Sequence, residues 1–235
     1  MRAEGISRFS DYKSLGRGDL YYLVYRTLVR DLERAILAHA RGRVLDIGCG
    51  NKPYQGAFAG RSTEYVGCDV IQSDRERVDI LCEANRIPVP DASFDTVFST
   101  QTIEHVADHR GMVAEAFRVL KPGGAFILSG PMYWHLHEEP HDYFRFTEHG
   151  FRYLLSGAGF AVQEVTPNGG MWATSGQCLL HSFMNCRSRH WMLRAARWAF
   201  FKLRGHRVVN WLFSRLDDLD PNPINPMNYV VVARK

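Results

Sequence analysis

A glycine-rich turn after a short apolar run is the feature of this sequence with the clearest chemical meaning. The run Val44-Leu-Asp-Ile-Gly-Cys-Gly50 has glycines at 48 and 50, which permit positive φ angles and a close approach of a ligand to the backbone. A nicotinamide-binding turn has a third glycine where this chain has Pro53. Asp46 is poorly placed for a pyrophosphate, and it favours a ligand with a positive charge.

A second acid follows at the end of the next apolar run. Asp69 lies 19 residues after Gly50, where a carboxylate can accept hydrogen bonds from both ribose hydroxyls. Together, Asp46 and Asp69 indicate a nucleoside ligand without phosphates and with a cationic amino-acid tail.

The elements that must position these residues follow from hydrophobic periodicity. Short β-prone runs alternate with helix-length or loop-length intervals, which predicts a parallel sheet covered on both faces by helices. The runs are 43–47, 64–69, 78–81, 94–99, 124–129, 160–166 and 229–233. The predicted helices are 19–40, 110–120 and 147–158.

The ordered set of motifs resembles the class I S-adenosylmethionine-dependent methyltransferases, specifically the type 11 group. The resemblance covers residues 43–166, roughly half the chain. Its motifs are Asp46-x-Gly-x-Gly50, Asp69, Ile87-Pro88, Phe94-Asp95, Glu104-His105, Arg118-Val-Leu-Lys-Pro-Gly-Gly124 and Ala158-Gly-Phe160. It implies a Rossmann-like α/β fold with a doubly wound seven-stranded sheet, whose last strand is antiparallel. We expect a helical insertion between strands six and seven.

The resemblance also implies S-adenosylmethionine as cofactor and assigns residues to it. Asp46, Gly48 and Gly50 are expected around the methionine part, and Asp69 is expected to hold the ribose. Glu83-Ala84 matches the place of an acid at the adenine edge, although the family usually has Asp there. The remaining predicted cofactor residues are Cys49, Val70 and Gln101, of which Gln101 is expected near the sulfonium.

A histidine-rich loop, Trp134–Thr147, is the candidate acceptor site. A hydroxyl acceptor needs a general base of near-neutral pKa, which favours histidine. We predict that His141 or His105 is this base, with Asp142 orienting a ring nitrogen and Tyr143 or Arg145 binding the acceptor. In the alternative interpretation, His105 caps a helix and Arg145 pairs with Asp142 to fix the loop. The tyrosines at 21, 22 and 25 either form the opposite wall of the pocket or pack as part of a covering helix.

A metal site is a further alternative for this loop. His135, His137 and His141 with Glu138 and Glu139 could bind a divalent ion. Their spacing fits no standard zinc pattern, and the resemblance implies no metal. The prediction is therefore a site without metal.

The cofactor motifs do not identify the acceptor. The tetrapeptide Asn/Asp-Pro-Pro-Tyr of amino-directed enzymes is missing after the fourth strand. We therefore expect O-methylation of a hydroxyl or carboxylate on a polar small molecule, glycan or peptide, in natural-product or cell-envelope biosynthesis. The alternatives are a non-catalytic protein that binds S-adenosylmethionine and regulates a partner, and an RNA methyltransferase.

Charge is unevenly distributed along the chain. The net charge is +4, yet residues 187–215, the basic segment, hold eight Lys or Arg and no acid. We expect four parts: a covering helix in 1–40, a cofactor-binding core in 41–167, a helical insertion or lid in 168–227 and a final strand in 228–235. The basic segment could pack on the core, or contact a membrane surface or an acidic peptide; nucleic acid is the weakest partner because no binding module accompanies the charge.

Cysteine usage bears on the compartment. The five cysteines form no C-x-x-C pair, and the N-terminus lacks the apolar core of a signal peptide. This predicts a cytoplasmic location, with peripheral membrane attachment left open.

Overall fold

The computed structural model describes residues 15–235. Residues 1–14 of the predicted N-terminal part lie outside the described residues. The described chain forms a seven-stranded sheet with helices on both faces. Its strands are β1 (Gly42–Ile47), β2 (Ser62–Asp69), β3 (Ile80–Leu81), β4 (Phe94–Thr100), β5 (Leu120–Pro131), β6 (Ala161–Asn168) and β7 (Asn228–Arg234).

The strand order is β3-β2-β1-β4-β5-β7-β6. The first five strands pair in parallel, while β7 is antiparallel to both β5 and β6. This confirms the predicted α/β class, the number of strands and the antiparallel last strand. The order reverses between β1 and β4, so the carboxyl end of β1 is the switch point where such sheets bind ligands.

The helices are α1 (Tyr22–His39), α2 (His109–Val119), α3 (Glu148–Gly157), α4 (Met171–Met184), α5 (Trp191–Lys202) and α6 (Gly205–Leu219). The starts of α2 and α3 follow from capping side chains. Asp108 accepts a hydrogen bond from Gly111 N, and Thr147 accepts one from Gly150 N. Each cap satisfies a backbone donor that the first helical turn leaves free.

The core lies on both faces of the sheet because successive strand side chains point to opposite sides. Along β5, Phe126 and Leu128 pack in the cluster that includes α2 and α3, whereas Ile127 packs with α1 on the other face. Helix α1 covers that face with Leu28, Leu32 and other apolar residues at helical spacing. Both layers thus hold β1 and β4 rigidly in the centre.

Helices α4, α5 and α6 lie between β6 and β7 and form the predicted helical insertion. Helices α4 and α6 pack on α1 through Leu23, Leu180 and Val209. Asp217 on α6 accepts hydrogen bonds from Gly170 N and Ala173 N, so it caps α4 from a distant part of the chain. By contrast, α5 contains no buried residue.

One strand is shorter than the periodicity predicted. The strand expected at 78–81 has only two paired residues, Ile80 and Leu81. The interval between β1 and β2, for which no helix was predicted, contains one short 3-10 turn, Gln55–Phe58.

Candidate active site

A cleft of about 480 Å³ opens at the carboxyl ends of β1, β2 and β4. All residues that the sequence assigned to the cofactor line this cleft. They are Asp46, Gly48, Cys49, Gly50, Asp69, Val70, Glu83, Ala84 and Gln101. The glycine turn and the two acids therefore face one space, as the expected ligand requires.

The glycine turn leaves no room for a side chain at Gly48. Gly48 has a φ of 76° and Gly50 a φ of 47°. A Cβ at Gly48 would overlap the side chain of Thr102, on the segment after β4. The turn is further fixed because the backbone N–H groups of Gly48 and Cys49 both donate to Cys68 O, at 2.8 and 3.1 Å. Gly48 and Gly50 both line the cleft, so the backbone of this turn borders the space for a ligand.

Asp46 lies at the end of β1 and is 2% exposed. Its Oδ2 accepts a hydrogen bond from the Tyr65 hydroxyl at 2.7 Å. Burial raises the pKa of Asp46 to about 7; the Tyr65 hydrogen bond opposes this rise, the Asp69 charge adds to it, and Lys52 opposes it. A buried carboxylate of this kind is stabilised by a cationic ligand, because opposite charge favours the ionised form.

Asp69 is held at the end of β2 by two backbone donors. Its Oδ2 accepts from Gly50 N at 3.1 Å and its Oδ1 accepts from Val70 N at 2.7 Å. A carboxylate has about four acceptor positions, so both oxygens retain capacity for ligand hydroxyls. The bond to Gly50 also ties the second acid to the glycine turn.

Two further parts of the cleft wall are fixed by side-chain hydrogen bonds. Gln101 donates from Nε2 to Ser129 Oγ at 3.1 Å, which ties it to β5. Asn85, next to Ala84, donates to Asp108 at 2.8 Å. Asn85, Asp108, Tyr54 and Thr102 line the cleft although the sequence analysis assigned them no ligand.

The loop after β5 folds back over the cleft. Tyr143 N donates to the backbone oxygen of Glu104 at 2.9 Å, which fastens the loop to the 3-10 turn Ile103–His105. Of the predicted catalytic residues, His105, His141 and Tyr143 line the cleft. His105 Nδ1 lies 2.8 Å from His141 O, and His141 Nδ1 lies 3.1 Å from the Tyr143 hydroxyl.

Asp142 and Arg145 do not line the cleft. Arg145 donates to both carboxylate oxygens of Asp142 and also to the backbone oxygens of residues 134, 135 and 144. Asp142 contacts the His137 ring at 3.2 Å, not the ring of His105 or His141. The structure therefore departs from the predicted acceptor-binding role of Arg145 and matches the alternative in which the pair fixes the loop. Asp142 orients a histidine, but a different one from those predicted.

Glu104 and His137 are the notable residues absent from the predicted catalytic set. Glu104 is 1% exposed, and burial raises its pKa to about 8. Burial also lowers the pKa of His137 to about 4, and the nearby His105 acts in the same direction. The only signal in the sequence was that Glu104 adjoins His105 and that His137 lies in the histidine-rich loop.

The three N-terminal tyrosines have different positions. Tyr25 lines the cleft. Tyr21 contacts the rings of Trp134 and His181, and Tyr22 packs against the cluster formed with the helical insertion. The packing interpretation therefore describes Tyr21 and Tyr22, and Tyr25 alone reaches the cleft.

The family comparison agrees with this geometry. Residues 45–128 match the family model described as a methyltransferase domain. A probable S-adenosylmethionine-dependent methyltransferase of Mycolicibacterium smegmatis is 40% identical over 108 residues, which cover 40% of this chain and 41% of the relative. The 27-O-demethylrifamycin SV methyltransferase of Amycolatopsis mediterranei is 32% identical over 104 residues, with 38% of each chain covered. The chain thus spans about two fifths of the length of these curated relatives.

A solved structure supports the fold. The S-adenosylmethionine-dependent methyltransferase of Mesorhizobium loti superposes with a TM-score of 0.55 at 17% identity, covering 94% of this chain and 100% of that chain.

The sheet order, the cleft and the matched residues 45–128 are similar to those of the class I S-adenosylmethionine-dependent methyltransferases. The cofactor of this class is S-adenosylmethionine, and the buried Asp46 beside the glycine turn that lines the cleft fits its cationic methionine part. The histidine-rich loop and the basic segment lie outside residues 45–128, which match the family model.

Proposed function

We propose that this protein transfers a methyl group from S-adenosylmethionine to an oxygen of a polar small molecule, glycan or peptide. The observation that supports this proposal is that His141 and Tyr143 border the same cleft as the cofactor residues Asp46 and Asp69. A base and a hydroxyl at the open side of the cleft suit an acceptor that must be aligned and deprotonated.

In this proposal, the cofactor residues bind and orient. When bound, S-adenosylmethionine supplies a methyl group on a positively charged sulfur. Asp46, Gly48 and Gly50 hold the methionine part, Asp69 accepts hydrogen bonds from the ribose, and Glu83 with Ala84 borders the adenine. Since Asp69 is already fixed by backbone donors, it is preorganised for this role.

His141 is the residue we assign to proton removal. With Nδ1 protonated and donating to the Tyr143 hydroxyl, Nε2 carries the lone pair that accepts the acceptor's proton. His105 is assigned a different role, because its Nδ1 is bound to His141 O and thereby positions the loop. A carboxylate acceptor would need only alignment by these groups.

The test is methyl transfer by His141→Gln and His141→Ala over a panel of hydroxyl, carboxylate, amine and carbon acceptors. We expect turnover of hydroxyl acceptors to fall by about 100-fold or more, with cofactor affinity in calorimetry unchanged. His149→Ala, an exposed histidine on α3, is the matched control.

Three outcomes would contradict the proposal. Transfer only to nitrogen or carbon would exclude O-methylation, and methyl incorporation into total RNA would favour the RNA methyltransferase alternative. Cofactor binding with no turnover on any acceptor, together with a stable protein complex, would favour the partner-regulating alternative.

We further propose that the basic segment contacts an anionic membrane surface. Trp191 and Trp198 on α5 are 72% and 67% exposed, and cations without acids surround them in the sequence. Exposed tryptophans next to arginines suit the boundary between acyl chains and anionic headgroups. No helix within residues 15–235 has the length and apolar character needed to cross a bilayer.

A further inference from the structure

A cluster of potential ligand atoms lies beside the cofactor cleft, at the base of the histidine-rich loop. One ligand atom from each of Glu104, His105 and His137 lies within 4.8 Å of the others. His105 Nε2 is 3.9 Å from Glu104 Oε1 and also 3.9 Å from Glu138 Oε2. Two imidazoles and the Glu104 carboxylate therefore converge on one small space, and the Glu138 carboxylate lies beside His105.

The two imidazoles are held in the same way. The Nδ1 of His105 is hydrogen-bonded to the backbone oxygen of His141 at 2.8 Å, and the Nδ1 of His137 is hydrogen-bonded to the Asp142 carboxylate at 3.2 Å. In each ring this arrangement leaves Nε2 with the lone pair. Metal-binding histidines are held in this way, with the second ring nitrogen donating to a carbonyl or a carboxylate that fixes the tautomer.

Glu104 supplies an independent observation. Its side chain is 1% exposed, and within residues 15–235 its Oε2 has no hydrogen-bond partner. Arg145, the nearby cation, is already bound through two hydrogen bonds to Asp142. A buried carboxylate oxygen without a partner is costly, and a bound cation would remove that cost.

The spacing suits a small ion. A tetrahedral ion with bonds of about 2.1 Å holds its ligand atoms about 3.4 Å apart. The observed separations of 3.9 Å and at most 4.8 Å require the donors to approach by about 0.5 to 1.4 Å. Rotation of the side chains, above all that of Glu138 on the loop, can provide this shift.

We propose that Glu104, His105 and His137, with Glu138 as a fourth donor, bind a divalent first-row transition-metal ion such as Zn²⁺. Imidazole nitrogens favour such ions over Mg²⁺, which prefers oxygen ligands. The two carboxylates balance the charge of the ion. This set differs from the sequence-based alternative, because His135 lies against His181 and His141 against Tyr143. It also departs from the predicted site without metal.

The site has a use for the reaction, and this part rests on the proposed function. His105 and Glu138 both line the cleft, so an ion between them is within reach of an acceptor oxygen. An ion that binds this oxygen would orient it and favour its deprotonated form. Metal binding itself requires neither cofactor nor acceptor.

The test is equilibrium dialysis of the chelator-treated full chain against Zn²⁺, Co²⁺ or Mg²⁺, without cofactor or acceptor. We expect about one Zn²⁺ or Co²⁺ per chain by elemental analysis, visible d–d absorption of bound Co²⁺, and little retained Mg²⁺. Glu104→Gln and His137→Ala should each weaken Zn²⁺ binding by more than about 100-fold. His149→Ala should bind as the wild type does.

Glu104→Gln keeps the shape of the side chain, so it distinguishes lost binding from lost folding, which circular dichroism checks. The proposal is wrong if the folded wild type retains no Zn²⁺ or Co²⁺, or if Glu104→Gln and His137→Ala retain as much as the wild type. Because the readout is bound metal, failure of methyl transfer would leave this result unaffected.

Discussion

Both carboxylate oxygens of Asp142 accept hydrogen bonds from the Arg145 guanidinium, at 2.7 and 2.8 Å. Burial acts to raise the pKa of Asp142, but the bonds from Arg145 and from the His137 backbone N–H outweigh it and lower the pKa to about 2. Arg145 also binds three backbone oxygens of the loop. The Arg145–Asp142 pair therefore holds the histidine-rich loop in place over the cleft.

Breaking this pair should loosen the loop. We expect Arg145→Gln to lower the free energy of unfolding by about 3 kcal/mol, because it removes the cationic partner of a buried carboxylate. Arg145→Lys should cost less, since it keeps the charge but loses the paired hydrogen bonds. Urea unfolding measures both.

The matched control for this pair is Arg152→Gln. Arg152 pairs with Glu148 on the exposed surface of α3, at 2.9 Å, and such pairs contribute up to about 1 kcal/mol. Equal losses in the free energy of unfolding for Arg145→Gln and Arg152→Gln would contradict the proposal that the Arg145–Asp142 pair holds the loop in place.

Gly48 should be irreplaceable for cofactor binding. Gly48→Ala places a Cβ against Thr102 and forces a positive φ on alanine, so we expect a loss of cofactor affinity and of stability. Gly60→Ala is the control, because Gly60 has a φ of 75° with open space around it. Gly60→Ala should lower the free energy of unfolding by about 1–2 kcal/mol, which is the cost of a left-handed backbone conformation for alanine. Calorimetric cofactor binding equal in both variants would show that the overlap at Thr102 is unimportant.

Cofactor affinity should rise with pH through the ionisation of Asp46. Its pKa is about 7, so about a tenth of the carboxyl is ionised at pH 6 and about nine tenths at pH 8. If a cationic ligand binds the ionised form, affinity should increase about tenfold over this range. Asp46→Asn should bind the cofactor weakly, and its affinity should not show this increase with pH. A pH profile of the wild type that matches that of Asp46→Asn would refute the assignment.

The same ionisation has an opposite effect on the unliganded fold. Because the pKa of Asp46 is raised, the unfolded chain loses this proton first, and stability falls as pH rises from about 4 to 7. Asp46→Asn should therefore lose less stability than the wild type over this range, as measured by urea unfolding at each pH.

Membrane contact through the basic segment is tested with vesicles. We expect the protein to sediment with phosphatidylglycerol vesicles at low salt and less with phosphatidylcholine vesicles. Trp191→Ser combined with Trp198→Ser should reduce this binding, whereas Tyr153→Ser, at an exposed aromatic residue on α3, should not. Equal binding by all variants would contradict the proposal, and binding to an acidic peptide but not to vesicles would favour the peptide alternative.

The cofactor half of the site could be predicted from the sequence because its determinants are local. Asp46, Gly48 and Gly50 lie within one strand and turn, and their side chains or φ angles are required wherever that turn occurs. Asp69 follows from the end of the next strand. Parallel strands bring these ends to one edge, so spacing along the chain sufficed.

The acceptor half depends on contacts between distant segments. The sequence by itself determined that the loop carries histidines, acids and an arginine close together. Only the tertiary structure decided that Arg145 pairs with Asp142 outside the cleft lining, that Asp142 contacts His137, and that Glu104 is buried. The reason is physical: the partners of a flexible polar side chain depend on which donors and acceptors the packing brings near it, and the spacing of residues does not determine that packing.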